Sequence, residues 1–396
     1  MKKLGTILLI AIILFGGAFA AREIMGIYSD GVVAEVSYQE TEESLESKAY
    51  LYPVYSSLSE QNREYYAKLC AGFAGYNDVI YIDEFDSEKD MKDVEEWIDE
   101  YYREIAYEQP DYFWVDANSY VLEERQSGSE YTLCAKPSYS LTENEMLEKK
   151  EVYDEKVEEI VNEAKTKASD FDSILYVYDE ILSIADYDHS LADETDSALP
   201  GYSAYGCLIE GKTVCSGYTL AFTSIMQKLD IVCGAEFDTV AQGDFFSGHV
   251  WNYCEIDGEY YYFDLTWDDT GFDSAELRKY LDYTHDYFAL TRNELEMTNS
   301  FVPDDTASEP CTEYDYNYYT YKDLYCKKYN YYTVKEIIAN QPQENFAVIK
   351  FGSVSERVKA EKDLFDNQRF FDIMTDTESV SYMESASGLH LYIFFE

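Results

Sequence analysis

The N-terminal third of the chain alternates helix-like and strand-like patterns of apolar residues. Apolar side chains recur every three or four residues across Ser57–Tyr76 and Ser87–Tyr107, which predicts two amphipathic helices. The stripe of the second helix consists of Met91, Val94, Trp97, Ile98, Tyr101 and Ile105. The segment DVIYIDEF between the helices predicts a strand, and shorter strands are expected near Tyr112–Val115 and Tyr131–Ala135.

The patterns further along the chain predict two long helices and a small C-terminal module. Thr142 with Glu145 forms a capping-box pattern that opens a charged helix to about Lys167, and a second helix is expected over Phe171–Ala185. Residues 186–205 are loop-like, with a turn at Pro200-Gly201. The tail predicts a helix over Val334–Asn340, a strand over Phe346–Phe351, a helix over Ser355–Asp372 and a strand over Leu389–Phe395.

The first twenty residues have the pattern of a targeting segment. Lys2 and Lys3 precede an apolar run that ends in Ala18-Phe19-Ala20, which is a small-x-small cleavage pattern. We expect a cleaved signal peptide and a mature chain that begins near Ala21, because the run is short for a bilayer span. A retained membrane anchor is the alternative. In both cases the rest of the chain is expected outside the cytoplasm, secreted or at the cell surface.

These patterns divide the chain into five parts. We expect a signal peptide or anchor at 1–20, an acidic tether at 21–56 and an N-terminal α/β region at 57–140. The tightest composition, with all the candidate chemistry, lies in a domain at 141–300, and a C-terminal α/β module follows at 311–396.

Charge and cysteine content narrow the class of protein. The net charge of −49 argues against binding to nucleic acid and to anionic lipid head groups, since nothing offsets the repulsion between like charges. It indicates a strongly solvated surface, with recruitment of basic protein substrates as a weaker alternative. The eight cysteines are scattered rather than arranged as a disulfide scaffold, and Cys311 with Cys326 is the most plausible local pair.

Cys215 lies where a helix is predicted to begin. In VCSGYTLAF and the residues after it, Tyr218, Phe222, Ile225, Met226 and Leu229 form an apolar stripe at helical spacing, so the helix should start at about Ser216. Unpaired N–H groups at a helix N-terminus stabilise a thiolate and can also receive an oxyanion. Cys215 is therefore a candidate nucleophile, although a buried structural cysteine is the commoner outcome for any one cysteine.

A predicted hairpin carries a candidate base and acid. HVWNYCEI and EYYYFDL are strand-like runs on either side of Asp257-Gly258, a strong hairpin signal. A two-residue turn pairs Ile256 with Glu259, which sets Trp251 opposite Asp264 and His249 opposite Thr266. His249 and Asp264 would then be diagonal neighbours on one face of the sheet.

Cys215, His249 and Asp264 are the parts that nucleophilic catalysis requires. The thiol needs an adjacent base, and the base needs a polar group that orients it. His249 could instead be a core histidine bonded to Asp264. His189, His285 and His390 have no comparable partner in the sequence, and we interpret them as surface or satisfied histidines.

The three motifs VCSGYTLAF, GHVWN and YFDLTWDD resemble those of the transglutaminase-like superfamily, and most closely its bacterial, extracytoplasmic branch. The resemblance covers roughly residues 170–290. It implies an α+β, papain-like core in which a nucleophile helix packs on an antiparallel sheet. It also implies that Cys215 is the nucleophile, His249 the base and Asp264 the orienting acid. Trp251 and Asn252 match the residues that flank the histidine, and we expect them to be walls of the site.

A second motif is interpreted as a coincidence. Residues 206–213 satisfy the G-x-x-x-x-G-K-T expression of phosphate loops, but no buried strand precedes them, and Leu208-Ile209 fits a strand better than a phosphate-binding bend. We therefore expect no nucleotide as a partner. No Cys-x-x-Cys or His-rich spacing is present, so neither a metal nor another cofactor is predicted.

The expected function is thiol-dependent acyl transfer on protein or peptide substrates. Resolution of the acyl-enzyme by water gives a peptidase or deamidase, and resolution by an amine gives an amide cross-link. Hydrolysis is favoured, because bacterial proteins of the kind that this chain resembles are often better regarded as peptidases than as cross-linking enzymes. The alternative is a non-catalytic surface binding protein that retains the transglutaminase-like fold. A membrane is expected as a partner only if the N-terminal segment is uncleaved.

Overall fold

The computed structural model describes residues 30–192, 198, 200–237, 248–270, 280, 284–298, 311–341 and 345–396. The expected signal segment and the expected cleavage site near Ala21 lie outside these ranges, as does the whole of 299–310. Where the chain is described, no helix is both long and apolar enough to cross a membrane.

The chain divides into two compact units. The first comprises Met1–Glu163 with Asp188–Ala235, and the second comprises Ala164–Tyr187 with Glu236–Glu396. Both units mix helices with antiparallel sheet, so the α+β class is what the structure shows. Of the residues in the predicted 141–300 domain, 141–163 and 188–235 fall in the first unit and the others in the second.

The first unit is built on a three-stranded antiparallel sheet covered by helices. Its strands are β1 (Ile80–Phe85), β2 (Val115–Ser127) and β3 (Glu130–Tyr139), in the order β1-β3-β2. Its helices are α1 (Asp30–Ser47), α2 (Pro53–Ser57), α3 (Glu60–Ala74), α4 (Glu88–Glu108), α5 (Glu143–Ala164), α6 (His189–Ala192) and α7 (Cys215–Lys228). Short turns of other helix types lie at Ala49–Leu51, Pro200–Tyr202 and Gly206–Glu210, and a two-residue strand lies at Lys212–Thr213.

The second unit contains a hairpin and the C-terminal module. Its strands are Asp186–Tyr187, Val250–Ile256, Glu259–Phe263, Tyr325–Cys326, Phe346–Phe351, Val380–Glu384 and His390–Phe395. Its helices are Asp170–Ile184, Leu265–Thr270, Arg292–Thr298, Tyr318–Tyr321, Tyr331–Ala339 and Val354–Glu361, the last followed by wider and tighter turns at Lys362–Asp366 and Arg369–Asp372. The strand Cys233–Phe237 crosses the boundary between the units.

Most of the predicted elements are confirmed. Ser59 and Ser87 each accept a hydrogen bond from the backbone N–H three residues ahead, which sets the first residues of α3 and α4. The capping box of α5 is present: Glu145 Oε2 accepts from Thr142 N at 2.9 Å, and Thr142 Oγ1 accepts from Glu145 N at 3.4 Å.

The segment predicted to be an acidic tether is helical where it is described. α1 and α2 lie within it, and Leu45, Leu51 and Tyr55 are buried. Leu45 and Tyr55 belong to the core of the first unit, with Tyr65, Ile82 and Ile98 among its other members. Leu45 and Tyr55 stabilise this charged stretch, because both are buried in that core.

Two other predictions for secondary structure are wrong in detail. The helix expected over Ser355–Asp372 is broken after Asp366, because Gln368 adopts a left-handed conformation with φ 61°. Leu208-Ile209 is part of a wide helical turn, Gly206–Glu210, rather than a strand. That turn ends at Gly211, whose φ of 68° suits a residue without a Cβ.

Candidate active site

The candidate nucleophile is the first residue of α7. Val214 is the N-cap in an extended conformation, and it provides no side-chain acceptor for the first-turn N–H groups. The first turn also contains no acidic residue, although the chain has 79 of them. The predicted helix start is confirmed, and the positive end of the helix dipole lies at Cys215.

A close backbone contact fixes the start of this helix. Val214 N donates to the carbonyl of Gly201 at 3.2 Å, and Thr213 Oγ1 donates to the same carbonyl at 2.8 Å. A Cβ on Gly217 would lie 1.9 Å from Thr213 Oγ1 and 2.9 Å from the Gly201 carbonyl oxygen. The glycine in VCSGYT therefore lets the first turn of α7 lie against the Pro200–Tyr202 turn.

Cys215 differs from the other cysteines in exposure. All eight cysteines lie in described residues, all are free thiols, and seven are buried while Cys215 is half-buried. The predicted Cys311–Cys326 pair is wrong. The two thiols lie in separate clusters of the second unit, Cys311 with Trp251 and Tyr262 and Cys326 with Val334 and Phe351.

The predicted hairpin and its register are confirmed as far as the ladder extends. Ile256 pairs with Glu259 and Asn252 with Phe263. Asp257 and Gly258 have φ values of 55° and 84°, as a tight two-residue hairpin turn requires. Beyond Phe263 the prediction fails, since the second strand ends there and a helix begins at Leu265. Thr266 is a helical residue and does not pair across from His249.

Asp264 ends the strand because it caps the helix that follows. Its Oδ1 accepts a hydrogen bond from Trp267 N at 3.3 Å, which is the geometry of an N-cap aspartate. Its own N–H donates to the carbonyl of Tyr287 at 3.0 Å. The second carboxylate oxygen, Oδ2, lies 2.7 Å from His249 Nε2.

The His249–Asp264 pair is buried among aromatic residues. His249 is 8% exposed and Asp264 2% exposed. The imidazole stacks on Trp251 at a centroid distance of 5.6 Å, and the ring of Trp267 meets it edge-on at 6.2 Å. Trp251 thus contacts the histidine. Exclusion of water around the pair strengthens its hydrogen bond.

The two neighbouring aspartates of the DLTWDD segment have other partners. Asp268 accepts from Tyr178 OH at 2.6 Å and from Tyr287 N, and Asp269 accepts from Tyr187 N at 2.7 Å. Burial, followed by the charge of Asp286, raises the pKa of Asp268 well above its usual range. Tyr178 also donates to the carbonyl of Asp264 at 3.2 Å, so it supports the backbone of the candidate acid.

Two buried histidines have side-chain partners that the sequence did not indicate. His285 Nε2 lies 2.7 Å from Asp179 Oδ1, and its ring stacks on Tyr318 at 4.0 Å. His390 Nδ1 lies 2.9 Å from Ser385 Oγ, and burial lowers the pKa of His390 to about 4. Each ring has one bonded nitrogen, while His285 Nδ1 and His390 Nε2 are buried and have no hydrogen-bond partner among the described residues. The prediction that His285 lacks a comparable partner is wrong, because a carboxylate holds it.

The structure brings His249 and Asp264 together in the second unit and places Cys215 at a helix start in the first. A carboxylate bonded at Nε2 holds the Nε2–H tautomer of the imidazole, whose lone pair is on Nδ1. The pair can therefore accept a proton and stabilise the resulting imidazolium. Sequence reasoning missed Tyr178, which donates to Asp268 and to the carbonyl of Asp264.

No family model and no curated protein matches the chain. Among solved structures, the crystal structure of a TGase is 13% identical, with 39% of this chain and 44% of that chain covered at a TM-score of 0.27. A candidate cysteine protease from Cytophaga hutchinsonii is 14% identical, with 37% and 64% covered at a TM-score of 0.24. The chain thus spans less than two thirds of either protein, and similarities of this size carry no argument about its fold or activity.

Proposed function

We propose that this protein is a thiol-dependent acyltransferase that acts on protein or peptide substrates through Cys215, His249 and Asp264, on a papain-like, transglutaminase-like core. The observation that carries the proposal is the 2.7 Å hydrogen bond between His249 Nε2 and Asp264 Oδ2. The half-buried thiol at the start of α7 supports it.

The chemistry divides among the three residues. Nδ1 of His249 takes the proton of the Cys215 thiol, and the thiolate attacks an amide carbonyl to form the C–S bond. The imidazolium returns the proton to the nitrogen as the C–N bond breaks, so an amine or ammonia leaves. Water or a second amine then resolves the thioester. Asp264 holds the imidazole in one orientation and stabilises its charged form.

The acyl acceptor decides between two outcomes. Attack by water makes the protein a peptidase or deamidase, and attack by a lysine amine makes a cross-link. We favour water. Incubation with a glutamine-containing protein and a labelled primary amine separates the two, since only transfer to an amine incorporates the label.

Alkylation of Cys215 tests the triad without a known substrate. The protein is treated with iodoacetamide between pH 5 and 9, and the labelled site is identified by intact-mass and peptide analysis. One rapid label at Cys215 is expected, because the other seven thiols are buried. In His249→Ala, the labelling rate near neutral pH should fall about tenfold or more, since the base that holds the thiolate is lost.

Cys215→Ala is the control for the labelled site, and labelling should disappear in this variant. Slow, uniform labelling of several cysteines, or a Cys215 rate that does not depend on His249, would contradict the proposal. Either result would favour a binding protein without turnover.

We also propose that the protein works outside the cytoplasm, secreted or attached to the cell surface through its N-terminal segment. The support is the pattern of Lys2-Lys3, the apolar run and Ala18-Phe19-Ala20. N-terminal sequencing of the protein from its source cells tests this, with Ala21 expected as the first residue. Recovery of uncleaved protein from the cytoplasm alone would contradict it.

A further inference from the structure

One hydroxyl group, that of Tyr178, contacts two acceptors in the segment that contains the candidate acid. Its oxygen lies 2.6 Å from Asp268 Oδ2 and 3.2 Å from the carbonyl oxygen of Asp264. Both distances are within the range of hydrogen bonds. A phenol carries a single proton, so it cannot form a full hydrogen bond to both oxygens at once. One of the two contacts therefore needs a proton from the other partner, and Asp268 is the only one of the two acceptors that can carry one.

Asp268 is a buried carboxyl whose surroundings favour its neutral form. It is 4% exposed, and its Oδ1 accepts a hydrogen bond from Tyr287 N at 3.2 Å. The ionisable groups that act on it come from its own helix, from the helix Asp170–Ile184 and from the chain after 284, and they are Asp264, Tyr178, Asp286, Tyr319 and Tyr392. None of these groups carries a positive charge. Burial, followed by the charge of Asp286, raises the pKa of Asp268 accordingly.

Asp286 is the better placed of the two neighbouring carboxyls to be charged. Its Oδ1 accepts from Tyr319 OH at 2.5 Å, its Oδ2 accepts from Tyr392 OH, and His390 Nδ1 lies 3.4 Å from Oδ2. Two hydroxyl donors stabilise a carboxylate. A second negative charge on Asp268 would be repelled by the first, so the proton of the pair belongs on Asp268.

We propose that Asp268 is a neutral carboxylic acid, that its Oδ2–H donates to the Tyr178 oxygen, and that the Tyr178 hydroxyl donates to the Asp264 carbonyl. Every contact then has one proton, including that of Tyr287 N–H with Asp268 Oδ1. Asp268 and Tyr178 are thus positioning residues, because they fix the backbone of Asp264, whose side chain holds His249. This deepens the proposed function and, in its effect on the thiol, rests on it.

Infrared difference spectroscopy of the full-length protein at pH 8 detects the acid proton directly. Exposed carboxyls are ionised at this pH, and a protonated carboxyl absorbs at higher frequency than a carboxylate. A carboxylic-acid C=O band should be present in the parent protein and missing in Asp268→Asn. Its position in the spectrum does not depend on Cys215 or His249. Identical spectra of the two proteins in this region overturn the inference.

The stabilities of Asp268→Asn and Asp286→Asn should change in opposite directions. Asparagine at 268 can donate to the Tyr178 oxygen and accept from Tyr287 N, as the neutral acid does. The unfolded chain loses the Asp268 proton above the ordinary pKa of 3.8, whereas the folded chain keeps it, so the parent protein loses stability as the pH rises. Asp268→Asn should therefore gain stability relative to the parent between pH 5 and pH 8.

Asparagine at 286 would set an NH₂ group against a phenol proton, and Asp286→Asn should be less stable than the parent across the same range. Urea unfolding at pH 5, 6, 7 and 8 measures both variants. Destabilisation of both by similar amounts overturns the inference, because it would show that Asp268 is also a charged acceptor.

Tyr178→Phe tests the positioning role. Loss of the hydroxyl frees the Asp264 carbonyl, and the rate of Cys215 alkylation by iodoacetamide at neutral pH should fall about threefold to tenfold, as loss of one hydrogen bond predicts. Tyr176→Phe is the matched control, since Tyr176 lies on the same helix with its ring 4.2 Å from Lys167 Nζ, and it should leave the rate unchanged. Asp268→Ala should lower the rate as Tyr178→Phe does, and Asp268→Asn should restore most of it.

An unchanged rate in Tyr178→Phe, or an equal loss in Tyr176→Phe, overturns the positioning role. Failure of the proposed function has a different signature, because it appears as an alkylation rate that does not respond to His249→Ala. The infrared band and the order of the two asparagine variants in stability still decide where the proton lies in that case.

Discussion

Asp264 makes two kinds of contact, and each of its carboxylate oxygens serves one of them. Oδ2 holds His249, and Oδ1 caps the helix Leu265–Thr270. Asp264 therefore both caps a helix and holds His249. The side chain that replaces it decides which of these two roles is lost.

Asp264→Asn and Asp264→Ala should separate the two roles. Asparagine can still cap the helix, but its NH₂ group would face Nε2 and favour the Nδ1–H tautomer, which cannot act as the base. We expect near-normal stability and a large loss of Cys215 reactivity. Alanine should lose that reactivity and also about 1 kcal/mol of stability through the lost cap.

Urea unfolding together with the alkylation rate measures both effects in each variant. Equal stability of the asparagine and alanine variants would contradict the capping role. A normal alkylation rate in Asp264→Asn would contradict the role in orienting His249.

Glu108 is a buried carboxyl whose titration should be visible in the stability of the first unit. It accepts hydrogen bonds from Val54 N at 2.6 Å, Tyr55 N at 3.0 Å and Tyr66 OH at 2.8 Å. Burial outweighs these contacts and raises the pKa of Glu108 to about 7 from its ordinary 4.5. The unfolded chain therefore loses this proton at lower pH than the folded chain does.

It follows that stability is lost as the pH rises from 4.5 to about 7, by about 3 kcal/mol from this residue. Glu108→Gln remains neutral, so its stability relative to the unsubstituted protein should increase across this window and level off above it. Urea unfolding at pH 5, 6, 7 and 8 measures the difference. Parallel pH profiles for the two proteins would show that Glu108 titrates normally.

At the scale of elements, the helix α7, which begins at Cys215, is placed by a glycine rather than by a side-chain cap. Helix propensity alone predicts that Gly217→Ala stabilises α7 by about 1 kcal/mol. The contacts of the added Cβ with Thr213 Oγ1 and the Gly201 carbonyl predict the opposite sign. We expect a loss of stability and a change in the reactivity of Cys215, because the first turn has to move.

Thr213→Ala removes the nearest of the clashing atoms and serves as the control background. The added Cβ would still meet two carbonyl oxygens at 2.9 Å, so the cost of Gly217→Ala should be reduced there but not abolished. Urea unfolding of the parent protein, the two single variants and the double variant measures the coupling free energy between Gly217→Ala and Thr213→Ala. A Gly217→Ala protein that is more stable than the parent would refute the close packing.

At the scale of the whole molecule, the regions outside the resemblance are integrated with the elements that carry the motifs. In the first unit, α7 is anchored to Glu108 and Asp111. In the second, Asp286 accepts from Tyr319 OH at 2.5 Å and from Tyr392 OH, and it lies 3.4 Å from His390 Nδ1. These partners belong to the C-terminal module.

We therefore expect that a fragment of residues 141–300, the domain predicted from the sequence, does not fold on its own. It would leave Ser224 and Gln227 without their partners and would expose Asp286 together with the apolar surface around it. Differential scanning calorimetry and binding of a hydrophobic dye measure this against the full-length protein. A cooperative transition in the fragment would show that the flanking regions are dispensable for folding.

Local patterns determined much of what this protein is. The period of its apolar residues located α3, α4 and α5, and Asp257-Gly258 set the register of the hairpin, because helix stripes and tight turns depend on neighbours a few residues apart. The same reasoning placed Cys215 at a helix start and drew attention to His249 and Asp264.

Contacts between remote segments decided the rest. The sequence set His249 opposite Thr266, whereas the folded chain caps a helix with Asp264 and still brings Oδ2 to His249. Ser224 meets Asp111, and Asp286 meets Tyr392, across separations that no periodicity encodes. Buried polar groups must find partners wherever the packed chain offers them, so these pairings exist only in the tertiary structure.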